Sequence, residues 1–98
     1  MRPLPHPPEA EKDTDSLEMI RGWIVDGELQ VSLAAWVWQD QPKEWGRLLA
    51  ESAHHLADAI SEETGKNRDE IFGVISESLL HHLQHPPDDL VGEHVEKT

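Results

Sequence analysis

The sequence predicts a small mixed α+β domain, in which a β-hairpin is followed by two antiparallel helices packed on one face of the hairpin (ββαα). Three observations predict it: an Asp-Gly pair between two β-rich runs, two later stretches with helical apolar spacing, and proline-rich, charged ends. A chain of 98 residues has room for one domain. We place it at residues 17–85, between tails at 1–16 and 86–98 that we expect to be disordered because they contain few large apolar side chains.

The hairpin is centred on Asp26-Gly27, a dipeptide that strongly favours a two-residue turn. Such a turn pairs residues whose numbers sum to 53, which makes one face entirely apolar or glycine: Ile20, Gly22, Ile24, Leu29, Val31 and Leu33. The opposite, outer face also carries apolar side chains, at Leu17, Met19, Trp23, Ala34, Trp36 and Trp38. If the two helices cover the first face, the outer face needs another cover.

The first helix is predicted at about residues 42–64. Pro42 suits a first helical position, and Asp40 or Gln41 can act as the N-cap. Gly65 fits a left-handed C-cap. Apolar or small residues recur on one stripe at helical spacing: Trp45, Leu48, Leu49, Ser52, Leu56, Ala59 and Ile60.

The second helix is predicted at about residues 68–85. Asn67 and Glu70 have the spacing of a capping box, and Pro86 marks the end of the helix. Its stripe contains Ile71, Phe72, Ile75, Leu79, His82 and Leu83, and we expect His82 to be a packed side chain rather than a ligand. The link of about three residues favours an antiparallel pair of helices.

The outer hairpin face predicts a homodimer, because a monomer exposing several tryptophans would carry an unusually large apolar patch. The residues expected in this self-association are Met19, Trp23, Trp36 and Trp38. Two hairpins could stack these faces or pair edge to edge. The alternative is intrachain cover by a tail or by the start of the first helix. Arg21 either stacks on an indole or extends along the surface towards water.

Charge and composition exclude several classes of protein. The formal net charge of −12 repels phosphates, so nucleic acids and anionic membranes are poor partners. The absence of cysteine excludes disulfides and thiolate chemistry, and no apolar run is long enough to span a membrane. No secretory signal is visible near the first residue, so we expect a cytoplasmic protein.

Seven histidines suggest an alternative function, the binding of a metal or small ligand. Glu51 and His55 lie one helical turn apart on the first helix, as do His54 and Asp58, and Glu77, His81 and His85 follow one another at the same spacing on the second. Two imidazoles so spaced can chelate zinc or nickel. The helix dipole also favours His81 and His85 at a C-terminus without any metal.

Catalysis is the least favoured interpretation. The chain has no cysteine or tyrosine, and its serines lie in no recognisable nucleophile motif. Gly46 does not open a phosphate loop, and we expect no cofactor. Glu51 and His55 could form an acid–base pair, but such a pair is more often a surface hydrogen bond.

Two segments carry a resemblance to a known family: MIRGWIVDGELQVSL, which includes the hairpin, and WGRLLAESAHHLADAI in the first helix. Over residues 17–85 the chain resembles a small bacterial family, domain of unknown function 5076. The matching helix positions are Trp45, Gly46, Leu48, Leu49, Glu51, His55, Ala57 and Ala59, with Glu51 where the family more often has Asp. The resemblance implies a small stand-alone cytoplasmic protein and draws attention to Glu51 and His55, but it implies no reaction.

Overall fold

The hairpin forms at the predicted place and in the predicted register. The computed structural model describes residues 4–86 and the backbone of residues 94–96. Strand β1 (Ile20–Val25) pairs antiparallel with strand β2 (Glu28–Leu33), and the numbers of each pair sum to 53. Asp26 and Gly27 have φ angles of 53° and 79°, the two positive values that a type I′ turn requires. The Asp-Gly turn and its register are therefore confirmed.

Two short elements lie in the segments assigned to the tails. Helix α1 (Pro8–Lys12) precedes the hairpin, and strand β3 (His94–Glu96) pairs parallel to β2. The sheet order is β1-β2-β3, so β1 is an edge strand. Elements of five and three residues are too short to show a periodic pattern, which is why the sequence did not predict them. The disorder predicted for the tails stays a prediction, and part of it falls on residues outside the described ones.

The chain divides into two compact units, residues 1–37 with 91–98 and residues 38–90. The first unit holds the sheet and the second holds two long helices, so the predicted mixed α+β class and ββαα order are confirmed for the central part of the chain. In the range that the structure describes, no helix has both the length and the apolarity to cross a membrane.

Helix α2 (Lys43–Thr64) matches its predicted range and ends at Gly65, whose φ of 75° is left-handed. The predicted side-chain cap is wrong: Pro42 is the N-cap residue and no side chain caps the helix. The physical reason is that backbone carbonyls before the helix already accept hydrogen bonds from the first amide groups of α2. The amides of Glu44 and Trp45 bond to the carbonyls of Gln41 and Pro42, each at 3.0 Å.

Helix α3 (Arg68–Gln84) begins as predicted, since the Oδ1 atom of Asn67 accepts a hydrogen bond from the Glu70 amide at 3.0 Å. Arg68 contacts Asp58, and Phe72, one turn later, contacts His54, one turn earlier on α2. Contacts that run in opposite directions along the two helices show that α2 and α3 are antiparallel neighbours.

The buried core is very small. Among the described residues only Ala34, Ala53 and Ala57 are buried, and none of the large apolar side chains is. Ile24 on the inner hairpin face is 70% exposed, and Leu56 on the apolar stripe of α2 is 54% exposed. The prediction that the helices cover the hairpin stays a prediction. A single chain leaves most of its large apolar side chains in water.

Candidate self-association surface

The outer hairpin face is built from alternate residues of β1 and β2. Met19, Arg21 and Trp23 stand opposite Ala34, Ser32 and Gln30, with the first of these pairs linked by a 3.0 Å hydrogen bond from the Ala34 amide to the Met19 carbonyl. Met19 is half-buried, whereas Trp23 keeps 45% of its surface exposed. This face therefore carries Met19, Ala34 and the exposed indole of Trp23, with three polar side chains among them, as the register predicts.

Arg21 does not stack on an indole. Its Nη2 atom lies 2.8 Å from Oε1 of Glu18, which precedes β1. Both side chains are about half exposed, so the ion pair contributes little to stability and mainly fixes the direction of the guanidinium.

Trp36 and Trp38 are placed differently from the prediction. β2 ends at Leu33, and residues 35–40 form turns, with the Val37 amide bonded to the Ala34 carbonyl at 3.1 Å. The strand alternation that assigned both indoles to the outer face thus ends before them. Trp36 remains 45% exposed.

Trp38 has an intrachain partner. Its ring meets that of Trp45 edge to face, with centroids 5.6 Å apart and planes at 79°, a favourable geometry for aromatic pairs. Trp38 thus contacts the start of the first helix, and the alternative of intrachain cover stays a prediction. Of the four predicted self-association residues, Trp23 and Trp36 offer the most exposed aromatic surface.

A groove of about 900 Å³ runs beside β1. Ile20, Arg21, Gly22 and Trp23 line one side, and residues of the preceding segment line the other, among them Leu4, Pro7, Ala10 and Leu17. A smaller depression of about 90 Å³ lies between Arg21 and Trp36. Both open next to the predicted self-association residues.

The candidate acid–base pair is not assembled. The Oε1 atom of Glu51 accepts a hydrogen bond from Nε of Arg47 at 3.0 Å, and Arg47 also approaches Glu44 at 3.5 Å. These contacts, led by the Glu51 hydrogen bond, raise the pKa of the Arg47 guanidinium. His55 is exposed to solvent. The carboxylate that sequence reasoning paired with a histidine is thus engaged by an arginine one turn earlier.

The histidines near the end of α3 contact each other and their own helix. The rings of His81 and His85 stack with centroids 4.5 Å apart, and Nδ1 of His85 lies 3.0 Å from the His81 carbonyl oxygen. His82 is exposed rather than packed, with Nδ1 at 2.8 Å from the Ser78 carbonyl, because its polar ring can bond to its own backbone. Over residues 4–86, no three acidic or histidine side chains, Glu77 included, converge as a metal site.

The sequence analysis paired His54 with Asp58 but missed the polar cluster that Arg68 forms with both. Arg68 donates from Nε to Asp58 at 2.8 Å and from Nη2 to Nδ1 of His54 at 2.7 Å. The His54 ring stacks on Phe72 at 4.1 Å and 13°. Hydrogen bonding to Arg68 lowers the pKa of Asp58. The sequence contained one indication of this cluster. His54 and Asp58 lie four residues apart on α2, and Arg68 and Phe72 lie four residues apart on α3, so each pair shares one face of its helix.

Comparison with known proteins supports the family resemblance. The family described as "Domain of unknown function (DUF5076)" matches residues 3–87. A solved structure described as that of "a putative pyruvate dehydrogenase from the photosynthetic bacterium Rhodopseudomonas palustrus CGA009" is 28% identical, with a TM-score of 0.71. That match covers 100% of this chain and 96% of the other. Among curated proteins, none matches this chain.

Proposed function

The chain belongs to the family of domain of unknown function 5076, and from that premise we propose that it is a self-associating, non-enzymatic interaction or regulatory module of the cytoplasm. The observation that carries the proposal is the small core: three alanines are the buried residues of the described chain. A domain this short usually supplements a marginal core with a disulfide, a metal or a partner. Cysteine is absent, so a disulfide is excluded, and a second copy supplies the cover most simply.

The surface proposed for contact is the one around Trp23 and Trp36. Each indole is 45% exposed, and Met19 lies on the same face of the hairpin as Trp23, with Arg21 between them. Removing apolar surface from water stabilises by about 25 cal/mol per Å². Two partly exposed indoles in each copy therefore favour association.

Enzymatic activity is not part of the proposal. The hydrogen bond that Glu51 makes is to Arg47, and no hydrogen bond joins it to His55 among the contacts of the described residues. The dehydrogenase activity in the description of the similar structure is said of that protein, and the proposal does not carry it over to this chain.

Sedimentation equilibrium of the full chain at micromolar concentration tests the proposal. We expect twice the 11.1 kDa mass of the chain. Trp36→Glu should return the protein to the monomer, whereas Gln39→Glu, which adds the same charge at an exposed turn position nearby, should leave the dimer intact. Circular dichroism checks that both variants keep their helices. A wild-type protein that sediments at 11.1 kDa over the whole concentration range would refute self-association.

A further inference from the structure

The free edge of β1 is defined by the hydrogen-bonding pattern of the hairpin. In an antiparallel pair, residues alternate between those bonded to the partner strand and those whose N–H and C=O groups point away. The bond from Ala34 to Met19 shows that the odd-numbered residues of this strand face β2. Ile20, Gly22 and Ile24 therefore direct their backbone N–H and C=O groups to the outer edge, where no described strand pairs with β1.

The residues along this edge are self-complementary. Around Gly22, the positions two residues away on either side, Ile20 and Ile24, are both isoleucine, and the positions next to it are Arg21 and Trp23. A two-fold axis at Gly22 would place Ile20 opposite Ile24 of the partner subunit and Arg21 opposite Trp23 of the partner subunit. A two-fold interface requires such self-complementarity. An arginine facing an indole is also favourable.

We propose that two copies of the chain pair their β1 strands antiparallel about a two-fold axis at Gly22, forming one continuous six-stranded sheet. This inference rests on the proposed self-association and adds to it a contact along the β1 edge, separate from the surface around Trp23 and Trp36. The three outward-facing residues of each strand would form about six backbone hydrogen bonds across the axis. Pairing would also remove the open strand edge, which otherwise favours indiscriminate association.

Charge selects this edge for contact between two copies. Each chain has a formal net charge of −12, so most of its surface repels a second copy. From Ile20 to Val25, β1 contains no acidic residue and one basic residue, Arg21, whereas Glu11 and Glu18 line the groove beside it. Arg21 is paired with Glu18, so the strand is less acidic than the chain as a whole and two acidic chains can approach along it.

The groove beside β1 adds contact area. Four consecutive residues, Ile20 to Trp23, line this groove. Consecutive strand residues point to alternate faces of a sheet. The groove therefore runs along the edge of β1 rather than over one face. Its other wall is the segment before the strand. A standard interface uses roughly 20–30 residues per partner, which is about the length of residues 4–25. A partner strand in the groove would contact β1 and this segment together.

Disulfide trapping tests the pairing directly, because the chain has no cysteine of its own. Opposed residues of this type have Cα atoms about 5.5 Å apart, within the range that a disulfide spans. Gly22→Cys should therefore form a covalent dimer under mild oxidation at least tenfold faster than Glu28→Cys, an exposed position on β2. If the two cysteine variants cross-link at equal rates while the protein sediments as a dimer, edge pairing is refuted but self-association is not.

A proline variant gives a second readout. Gly22→Pro removes an outward N–H that is not bonded to β2, a position where an edge strand tolerates proline. We expect its dissociation constant to rise at least tenfold. Gly22→Ala is the control, since its Cβ would meet Leu29 and Val31 at ordinary distances of 3.6 and 3.7 Å. A folded proline variant with an unchanged dissociation constant would contradict the proposal, and a monomeric wild type would refute both the pairing and the proposed function.

Discussion

Arg68, the first residue of α3, donates a hydrogen bond from its Nε atom to Oδ1 of Asp58 on α2 across 2.8 Å. The same guanidinium lies 5.2 Å from the ring centroid of Phe72 and donates to His54. The hydrogen bond, followed by the positive charge of Arg68, holds the pKa of Asp58 below its usual range. One side chain at the start of α3 thus joins it to two turns of α2.

Asp58→Asn should lower the melting temperature by a few degrees at neutral pH, because the carboxylate that accepts from Arg68 is lost. A folded-state pKa below the unfolded value means that ionisation stabilises the fold. This contribution is present above the unfolded carboxyl pKa of about 3.9 and is lost as the pH falls further, through the folded pKa. The difference between the wild type and the variant in thermal unfolding should therefore shrink as the pH falls below about 3.9.

Asp69→Asn is the control for this experiment. Its carboxylate lies 3.4 Å from Nη1 of Arg68 and is 91% exposed, so its removal should have a smaller effect at neutral pH. If both variants melt at the wild-type temperature at pH 7, the contacts of Arg68 do not stabilise the packing of α3 on α2.

Local signals in the sequence predicted the fold well. Asp26-Gly27 fixed the hairpin register and Asn67 fixed the start of α3, because each acts through its own backbone neighbourhood. The aromatic positions were less predictable. Trp38 lies in the turns that follow β2. Its contact with Trp45 depends on where the chain leaves the strand, which the alternation of residues alone does not reveal. The Arg68 contacts were missed because they depend on how the two helices align.

The helix glycines should respond to substitution with opposite signs. A Cβ at Gly73, inside α3, would meet no atom within 4 Å, so Gly73→Ala should raise the free energy of unfolding by about 0.5–1 kcal/mol. Gly65 has open space too, but its φ of 75° disfavours an L side chain, so Gly65→Ala should lower stability by about 1 kcal/mol. Urea unfolding measures both. Changes of the same sign in the two variants would contradict the placement of Gly73 in a helix interior and of Gly65 at a left-handed C-cap.

Zinc should bind weakly through the stacked pair at the end of α3. His81 and His85 lie 4.5 Å apart between ring centroids, and a structural zinc site usually needs four ligands. We expect a dissociation constant no tighter than about 10 μM by calorimetry at pH 7. His81→Ala should abolish this binding, and His6→Ala should not. Affinity that survives combined loss of His81 and His55 would place the metal elsewhere and refute the prediction.

Dimerisation should strengthen as the pH falls from 8 to 5.5. Protonation of all seven histidines moves the formal charge of each chain from −12 to −5, which lowers the repulsion between copies. We expect the dissociation constant from sedimentation equilibrium to fall severalfold. Because this effect is long-range, 0.5 M salt should reduce it strongly.

The charge effect can be separated from a change in the helices. Nδ1 of His54 accepts a hydrogen bond from Arg68, and its protonation would oppose that contact. His54→Asn keeps a neutral side chain at this position and removes one titrating group of seven, so it should retain most of the pH response. A dissociation constant that is constant from pH 8 to 5.5, or a response abolished by this single substitution, would show that overall charge does not control association.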